Sequence, residues 1–338
     1  MKTEDRFVDA LRALLPSSGH VLLGPGDDAA VIDRPAGLLA ATTDLLVEGV
    51  DFLPGEDPER LGRRAAAINL SDLAAMGASP EFFLLAIGFD RRKGPEFPLA
   101  VAHGAVARAG QFGAHLVGGD LSDARETIIS VALWGRPVGL PLTRSGASPG
   151  DLVYLSGRPG EAAAGLRLAQ RIAALSQGSQ PPSVPELSLE TEQRLLAAYR
   201  DPVPRIALGS ALARERLATA AIDVSDGVGV DAGRLARASR VRIVLEQARL
   251  PVSPALQSFA AIQKLDPIEL VLSGGDDYEL LFTASANQAA RLEKRASAFD
   301  IPVTRVGRVE SGSGAVLRDG RAERDIAQLG HDHFQGAP

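Results

Sequence analysis

Hydrophobic residues along this chain follow two spacings, one typical of helices and one typical of buried strands. Residues 4–15 have apolar side chains at helical spacing, and the alanine-rich run 61–77 predicts a second helix, which Gly77 ends. A further helix is predicted at about 96–112, and runs such as "TIISVALWGRP" predict strands. Another strand is predicted to end near 42–44. Both halves of the chain therefore predict an α+β or mixed α/β fold.

Prolines and glycines between residues 137 and 150 interrupt this pattern and mark a predicted domain boundary. The chain has 338 residues, of which 45% are hydrophobic. A single core rarely grows beyond roughly 250 to 300 residues. We therefore predict an N-terminal domain at 1–138 and a C-terminal α/β domain at 148–338. The polar, proline-bearing stretch 176–187 is predicted to be an exposed loop.

Composition excludes several classes of site. The chain has no cysteine, which excludes disulfides, thiolate metal sites and cysteine nucleophiles. Its net charge of −6 argues against nucleic acid as a main partner, because the positive charge is scattered. No window approaches the ~20 apolar residues of a membrane span, and the charged start "MKTEDRFVDALRALL" has no signal-peptide core. A cytoplasmic protein without a membrane partner is expected.

Aspartate beside glycine or a hydroxyl residue recurs along the chain, whereas no lysine stands in the Gly-Lys-Ser/Thr context of a P-loop. The positions are Asp27, Asp28, Asp44, Asp72, Asp120, Asp223, Asp226, Asp276 and Asp277. Each one alone is explained as a helix cap or a turn residue in a loop. Asp72 differs, because it lies on a helix that is predicted to be buried, where an unpaired carboxylate is costly.

These oxygen ligands and the glycine-rich turns together indicate a magnesium-dependent phosphate site. Mg²⁺ prefers carboxylates, water and substrate phosphates, and Thr42, Thr43 and Ser225 could add hydroxyl groups. Glycine-rich turns let backbone N–H groups approach phosphates, while metal ions replace the lysine that is missing from such a motif. A single cluster of this kind is a weak signal. Several clusters in one chain without cysteine are a stronger one.

Six segments carry a resemblance to a known family. They are "GPGDDAAV", "TTDLLVEGVDF", "AAAINLSDLAAMGASP", "LVGGDLSD", "AIDVSDGV" and "LSGGDDYELLFT". In this order they resemble the thiamine-monophosphate kinases, of the superfamily that includes aminoimidazole ribonucleotide synthetase. The resemblance implies phosphoryl transfer from ATP to thiamine monophosphate, which gives thiamine diphosphate and ADP. It also implies a metal-binding, ATP-binding and dimerisation role for domain 1–138, a homodimer with a barrel-like interface between N-terminal sheets, and an ATP site between the two domains.

The resemblance also assigns site residues position by position. The metal ligands would be Asp27, Thr42, Thr43, Asp44, Asp72, Asp120, Asp223 and Asp226. The nucleotide would contact Gly119, Asp120, Arg144 and Ser225. On the acceptor side the chain has Asp51, Asp276 and His331 where the family usually has histidine, glutamate and an aromatic residue. These departures predict weakened binding of thiamine monophosphate.

The implied reaction needs no general base, because the attacking phosphate oxygen is already ionised near neutral pH. Catalysis would consist of positioning two polyanions and neutralising their charge with several Mg²⁺ ions. Two alternatives remain at this point. One is an ATP-dependent enzyme of the same superfamily with another phosphorylated acceptor, and the other is a catalytically silent metal-binding dimer. Asp277 is predicted either to cap or orient its loop or to belong to the site.

Overall fold

The structure is a computed structural model and describes residues 21–23, 31–32, 37–176 and 187–331. The predicted helix at 4–15, the loop with Asp27 and Asp28, and residues 177–186 of the predicted exposed loop lie outside this part of the chain. The chain forms two compact units. Unit 1 consists of the described residues up to Leu73 and of Ala78–Pro137, and unit 2 consists of Ala74–Gly77 and the described residues from Val138 onward.

Unit 1 is built around a four-stranded sheet. Its elements are β1 (Val21–Leu23), β2 (Val31–Ile32), β3 (Ala40–Val47), α1 (Pro58–Ala75, whose last two residues belong to unit 2), β4 (Ala78–Phe89), a 3₁₀ turn (Arg91–Lys93), α2 (Glu96–Gly110), β5 (His115–Asp123) and β6 (Ile128–Pro137). The strands β1 and β2 pair with each other, and the larger sheet has the order β3-β6-β4-β5. β4 and β5 are parallel, whereas β6 is antiparallel to both of its neighbours.

The two faces of this sheet differ in burial. Side chains alternate along each strand, so that Leu46 on β3 and Phe83 on β4 are buried on one face. On the opposite face Leu45 is 54% exposed and Leu84 is 37% exposed. Trp134 stacks on Phe82 at a ring-centroid distance of 5.6 Å on that second face. The sheet of unit 1 therefore has one covered face and one open apolar face.

Helices α1 and α2 cross at two glycines. A Cβ on Gly62 would lie 1.8 Å from the carbonyl oxygen of Val101, and a Cβ on Gly104 would lie 1.9 Å from that of Glu59. No side chain fits at either position, so only glycine allows the two helices to approach this closely. The crossing holds α1 in place, and α1 carries Asp72.

Unit 2 contains a seven-stranded sheet and seven helices among the described residues. Its elements are β7 (Leu152–Ser156), α3 (Glu161–Ser176), α4 (Leu189–Arg200), α5 (Ile206–Arg214), β8 (Ala220–Val224), α6 (Val228–Ser239), β9 (Arg242–Glu246), a 3₁₀ turn (Gln247–Arg249), α7 (Pro254–Gln263), α8 (Pro267–Ser273), β10 (Glu279–Ala284), a 3₁₀ turn (Ala286–Gln288), α9 (Ala289–Ala296), β11 (Val303–Glu310), β12 (Gly314–Asp319) and β13 (Ala322–Asp325). The strand order is β13-β12-β9-β11-β7-β10-β8. The β9–β12 pair is parallel and the other pairs are antiparallel.

Both faces of this second sheet are covered within unit 2. On one face Val153 and Leu281 belong to a large apolar core that includes residues of α3, α6 and α7. On the other face Tyr154 stacks on Phe282, and its hydroxyl donates to Glu293 of α9 at 3.1 Å. Ion pairs follow on the remaining strands of that face, with Arg242–Glu310, Arg308–Glu246 and Arg318–Glu310 at 3.3, 3.0 and 3.3 Å.

Both units combine helices with sheets, so the predicted mixed α/β fold class is confirmed. The sheets of the described residues do not close into a barrel. Within 37–176 and 187–331, no helix has both the length and the apolar character that crossing a bilayer requires.

Candidate active site

Strand β3 carries three of the predicted metal ligands in its interior. The prediction that this strand ends near 42–44 is wrong, because β6 pairs with it from Ala40 to Val47. Thr42 and Asp44 are two residues apart and share one face, and both are half-buried. Thr43 lies on the exposed face, where its hydroxyl donates to the carbonyl oxygen of Val131 at 3.0 Å. The side chain of Thr43 is therefore turned away from Thr42 and Asp44.

Helix α1 brings Asp72 to the same face as Thr42. The hydroxyl of Thr42 donates to Oδ2 of Asp72, which is 30 residues further along the chain. Asp72 is half-buried, and its neighbours Ser71 and Leu73 are buried. Thr42, Asp44 and Asp72, the β3–α1 oxygen group, thus place two carboxylates and a hydroxyl on one side of the unit 1 sheet.

Asp51 closes the turn that follows β3. Its Oδ2 accepts from the backbone N–H of Val47 at 2.8 Å, and its own N–H donates to the carbonyl oxygen of Val47 at 2.9 Å. This carboxylate, which was predicted to face the acceptor, therefore has a structural contact with the backbone of β3.

Gly119 and Asp120 lie in the edge strand β5, although the sequence predicts a loop for both. They pair in parallel with Leu85 and Ala86 of β4. A Cβ on Gly119 would lie 1.9 Å from the carbonyl oxygen of Leu85, so the position excludes any side chain. Asp120 follows directly and is exposed. Gly119 is exposed as well, so its backbone is accessible to a ligand next to the carboxylate of Asp120.

In unit 2, the end of strand β8 leads into the second group of predicted residues. Asp223 lies on β8 and is 5% exposed, and Ser225 and Asp226 follow before α6 begins. Asp226 is paired with the guanidinium of Arg234, which also donates to Asp231 at 2.7 Å. The N–H of Asp226 donates to Asp231 at 3.1 Å. Asp226 is therefore held by an arginine and a second carboxylate of α6.

Burial is the main cause that raises the pKa of Asp231 to about 6. The guanidinium of Arg234 opposes this rise, whereas the neighbouring charge of Asp226 adds to it. The sequence analysis did not single out Asp231 or Arg234. Their i, i+3 spacing on a helix that starts beside Asp226 is the signal that could have found them.

The segment "GGDDYE" lies beside the same end of β8. The N–H of Asp276 donates to the carbonyl oxygen of Ser225 at 2.7 Å, and the N–H of Tyr278 donates to that of Val224 at 2.8 Å. The hydroxyl of Tyr278, another residue that the sequence analysis did not single out, donates to Oδ1 of Asp276 at 2.9 Å. The predicted acceptor residue Asp276 and the predicted nucleotide residue Ser225 are therefore neighbours.

Asp277 points the other way and caps α3. Its two carboxylate oxygens accept from the N–H of Gly160 at 2.9 and 2.8 Å, and one accepts from Ala162 at 3.4 Å. Burial raises the pKa of this carboxyl group well above its usual 3.8, against the effect of the hydrogen bond from Gly160. The capping alternative for Asp277 is thereby confirmed. Of the two adjacent aspartates, Asp277 stabilises the fold and Asp276 is a candidate site residue.

His331 and Arg144 complete the predicted residues of unit 2. The N–H of exposed His331 donates to the carbonyl oxygen of Asp226 at 2.9 Å. Arg144 is exposed, and its carbonyl oxygen accepts from Ser239 at 2.8 Å. Ser225, Asp226, Asp276 and His331, the β8–α6 group, are thus connected by backbone hydrogen bonds.

Three or more His, Cys, Asp or Glu side chains arranged to hold a metal ion are not found within 37–176 and 187–331. Asp27 lies outside the described residues. The β3–α1 oxygen group supplies two carboxylates and a hydroxyl. Mg²⁺ is commonly bound by one or two carboxylates together with water and substrate phosphates. The donor chemistry of this group therefore fits Mg²⁺ that is shared with a nucleotide, rather than an ion caged by the protein alone.

Comparison with known families shows the class of protein to which this chain belongs. The family model of the N-terminal domain of AIR synthase related proteins matches residues 26–136, and that of their C-terminal domain matches 148–320. The chain thus has both domains of an AIR synthase related protein.

Similar proteins narrow this class further. The thiamine-monophosphate kinase of Escherichia coli K12 is 34% identical over 336 residues, which cover 97% of this chain and 96% of that protein. The crystal structure of the thiamine-monophosphate kinase from Stenotrophomonas maltophilia K279a matches with a TM-score of 0.81 at 35% identity, covering 94% of this chain and 96% of that one. A structure of AaThiL complexed with AMPPCP and TMP matches with a TM-score of 0.75 at 30% identity, covering 98% and 96%. The chain belongs to the thiamine-monophosphate kinase family, as the sequence motifs predict.

Proposed function

We propose that this protein transfers the γ-phosphoryl group of ATP to the phosphate of thiamine monophosphate, which yields thiamine diphosphate and ADP. The observation that carries the proposal is the near full-length similarity to AaThiL, whose structure is described as a complex with AMPPCP and TMP. The two oxygen-rich groups at β3–α1 and β8–α6 support it, because carboxylates beside accessible backbone suit the binding of metal and phosphate.

The proposed mechanism is a direct in-line transfer. An oxygen of the acceptor phosphate attacks the γ-phosphorus, the bond to the bridging oxygen of ADP breaks, and ADP leaves with the electron pair. The second pKa of a phosphate monoester is about 6, so the attacking oxygen is ionised at neutral pH and needs no general base. The protein contributes position and charge neutralisation.

The proposed Mg²⁺ ligands in unit 1 are Asp44, Asp72 and Asp120, with the hydroxyl of Thr42 and, outside the described residues, Asp27. Those in unit 2 are Asp223 and Asp226. Thr43 is left out, since its hydroxyl is used by Val131 on the opposite face. When bound, Mg²⁺ neutralises the charge that the two phosphate chains bring together.

Gly119, Asp120, Arg144 and Ser225 are proposed to bind the nucleotide. Gly119 supports this assignment, because its close packing on Leu85 leaves only backbone at that point of the strand. Asp276 and His331 are proposed to face the acceptor. Asp51 is proposed to act on the acceptor through the turn that it closes with Val47, rather than by direct contact.

A homodimer formed through the unit 1 sheet, with a barrel-like interface, is part of this proposal. The open face with Leu45 and Leu84 supports it, because an exposed apolar sheet face of this kind is typical of an interaction surface. The net charge of −6 supports the expectation that the protein does not bind nucleic acid, and a cytoplasmic location is part of the same proposal.

A second candidate is the same chemistry on another phosphorylated acceptor. It is favoured by Asp276, which has a shorter side chain than the glutamate usual in the family and is engaged by Tyr278. The two candidates differ in substrate and share the phosphoryl donor.

The deciding experiment measures ADP formation and identifies the phosphorylated product by mass spectrometry. Thiamine monophosphate, thiamine and several other phosphate monoesters are offered in parallel with MgATP. We expect ADP and thiamine diphosphate in equal amounts with thiamine monophosphate. Faster turnover of another monoester would overturn the proposed acceptor, and ATP hydrolysis without any phosphorylated product would overturn the kinase assignment itself.

A further inference from the structure

Residues 276–278 have an unusual backbone. Asp276 and Tyr278 both adopt positive φ angles, of 67° and 51°, although neither is glycine. The left-handed region costs a residue with a side chain roughly 1 to 2 kcal/mol. Such conformations persist where the surrounding structure determines them, and they are concentrated at ligand-binding sites. Two such conformations, on either side of Asp277, therefore require contacts that hold the backbone in place.

The anchors lie on both sides of the segment. Asp277, between the two strained residues, is held by the N–H groups of Gly160 and Ala162 at the start of α3. Asp276 and Tyr278 each donate their backbone N–H to the end of β8, at 2.7 and 2.8 Å. The backbone of all three residues is thereby fixed.

This backbone brings two side chains together. Tyr278 is only 8% exposed, and its hydroxyl donates to Oδ1 of Asp276 at 2.9 Å. A phenol that donates to a carboxylate leaves the negative charge on that carboxylate and restricts its rotation. Asp276 is thus a carboxylate of defined orientation, with its peptide N–H bonded to Ser225 at the end of β8.

The charge of Asp276 decides which part of the acceptor it can bind. A carboxylate repels the phosphate of thiamine monophosphate, whereas it attracts the positively charged thiazolium ring and the amino group of the pyrimidine. We propose that Tyr278 is a positioning residue that orients Asp276 toward the cationic heterocycle of the acceptor, and that this pair selects thiamine monophosphate among phosphate monoesters. The inference rests on the proposed function, in which Asp276 faces the acceptor.

The test uses Tyr278→Phe, which removes one oxygen atom. We expect the KM for thiamine monophosphate to rise about tenfold, the scale of one hydrogen bond to a charged group, with kcat and the KM for ATP within twofold. Inhibition by thiamine, which has the cation and no phosphate, weakens by the same factor. Inhibition by inorganic phosphate is unchanged.

A double-mutant cycle separates positioning from a structural role. In the Asp276→Ala background, Tyr278→Phe has no further effect on the KM if the tyrosine acts through Asp276. Tyr154→Phe is the matched control, since it removes the hydroxyl of another buried tyrosine of unit 2, which donates to the carboxylate of Glu293 on α9. That control lowers stability and leaves both KM values unchanged. Asp276→Asn, which removes the charge, weakens thiamine binding even where Tyr278→Phe folds poorly.

The outcomes separate the proposed function from the inference about Tyr278 and Asp276. An enzyme that does not phosphorylate thiamine monophosphate contradicts the proposed function. An enzyme that does so, but whose Tyr278→Phe and Asp276→Asn variants bind thiamine as the unmodified protein does, overturns this inference and leaves the proposed function intact. Equal effects of Tyr278→Phe with and without Asp276 would also overturn it.

Discussion

The two units differ in how their sheet faces are covered and in how their carboxylates are paired. The sheet of unit 1 has helices on one face and exposes Leu45 and Leu84 on the other, whereas the sheet of unit 2 is covered on both faces by its own helices and ion pairs. Unit 2 also surrounds its buried carboxylates with its own donors. Glu279 is held by Arg205 and Ser156, and Asp277 by backbone N–H groups.

The contrast extends to the candidate ligands. Asp226 in unit 2 contacts a guanidinium, which brings it a full positive charge, and Asp72 in unit 1 accepts a hydrogen bond from the hydroxyl of Thr42. A carboxylate beside a guanidinium gains stability from that contact, and a metal ion must compete with it. In unit 2, Glu279 and Asp277 therefore have a structural role, whereas Asp226 remains a proposed metal ligand, as Asp44 and Asp72 are in unit 1.

The largest expected effect concerns the buried pair of unit 2. Arg205→Leu leaves Glu279, which is 4% exposed, without its guanidinium, so the free energy of unfolding falls by about 3 to 5 kcal/mol. Urea unfolding followed by circular dichroism measures the change. Arg324→Leu is the control, because it breaks an exposed pair with Glu269 and costs less than about 1 kcal/mol. Similar losses of unfolding free energy in both variants would contradict the structural role of the Arg205–Glu279 pair.

The next effect concerns the β3–α1 oxygen group. Asp72→Asn removes one negative charge, and we expect turnover with MgATP to fall at least ~100-fold, about 3 kcal/mol of transition-state stabilisation, with the fold intact. Steady-state kinetics and a thermal unfolding curve measure both quantities. Asp57→Asn, at the start of the same helix, is the control and keeps its activity, since the side chain of Asp57 caps the N–H of Arg60. Near-normal turnover of Asp72→Asn at limiting Mg²⁺ contradicts the metal assignment.

A smaller effect is expected at the open face of unit 1. Leu45→Glu places a charge on this apolar face and weakens the proposed dimer by about 2 kcal/mol, or roughly thirtyfold in Kd. Sedimentation velocity over a range of concentrations measures it. Leu175→Glu, at a side chain of α3 that is 51% exposed in unit 2, is the control and leaves the association unchanged. A monomer at micromolar concentration in the unmodified protein would show that the open face has another role.

The smallest expected effect is a change in pH dependence. The pKa of Asp277 is raised by burial, so the folded protein binds this proton more tightly than the unfolded chain. This contribution to stability is full below the usual pKa of 3.8 and is lost as the pH rises through the raised value. Asp277→Asn does not titrate, so the variant is closer in stability to the unmodified protein at pH 8 than at pH 4. Asp266→Asn, an exposed cap of α8, shows no such convergence.

Particular elements show how far the sequence predicts the fold. The alanine-rich run 61–77 predicts a helix, and α1 spans Pro58–Ala75. The strand predicted from "TIISVALWGRP" is β6, Ile128–Pro137. Both depend on apolar spacing within one segment. Gly119 and Asp120 form a strand instead of a loop, because their conformation is decided by pairing with Leu85 and Ala86 of β4, which no local pattern contains.

The sequence by itself determined the family, the mixed α/β class and the set of oxygen-bearing residues, because motifs and periodicity are properties of neighbouring residues. Tertiary structure alone decided what each of these residues contacts. Thr42 reaches Asp72 and Thr43 reaches Val131, since adjacent strand residues face opposite sides of a sheet. Asp276 meets Tyr278 while Asp277 meets Gly160, 117 residues away. Two adjacent aspartates thus acquire different roles, because the direction of a side chain depends on a backbone that distant segments hold in place.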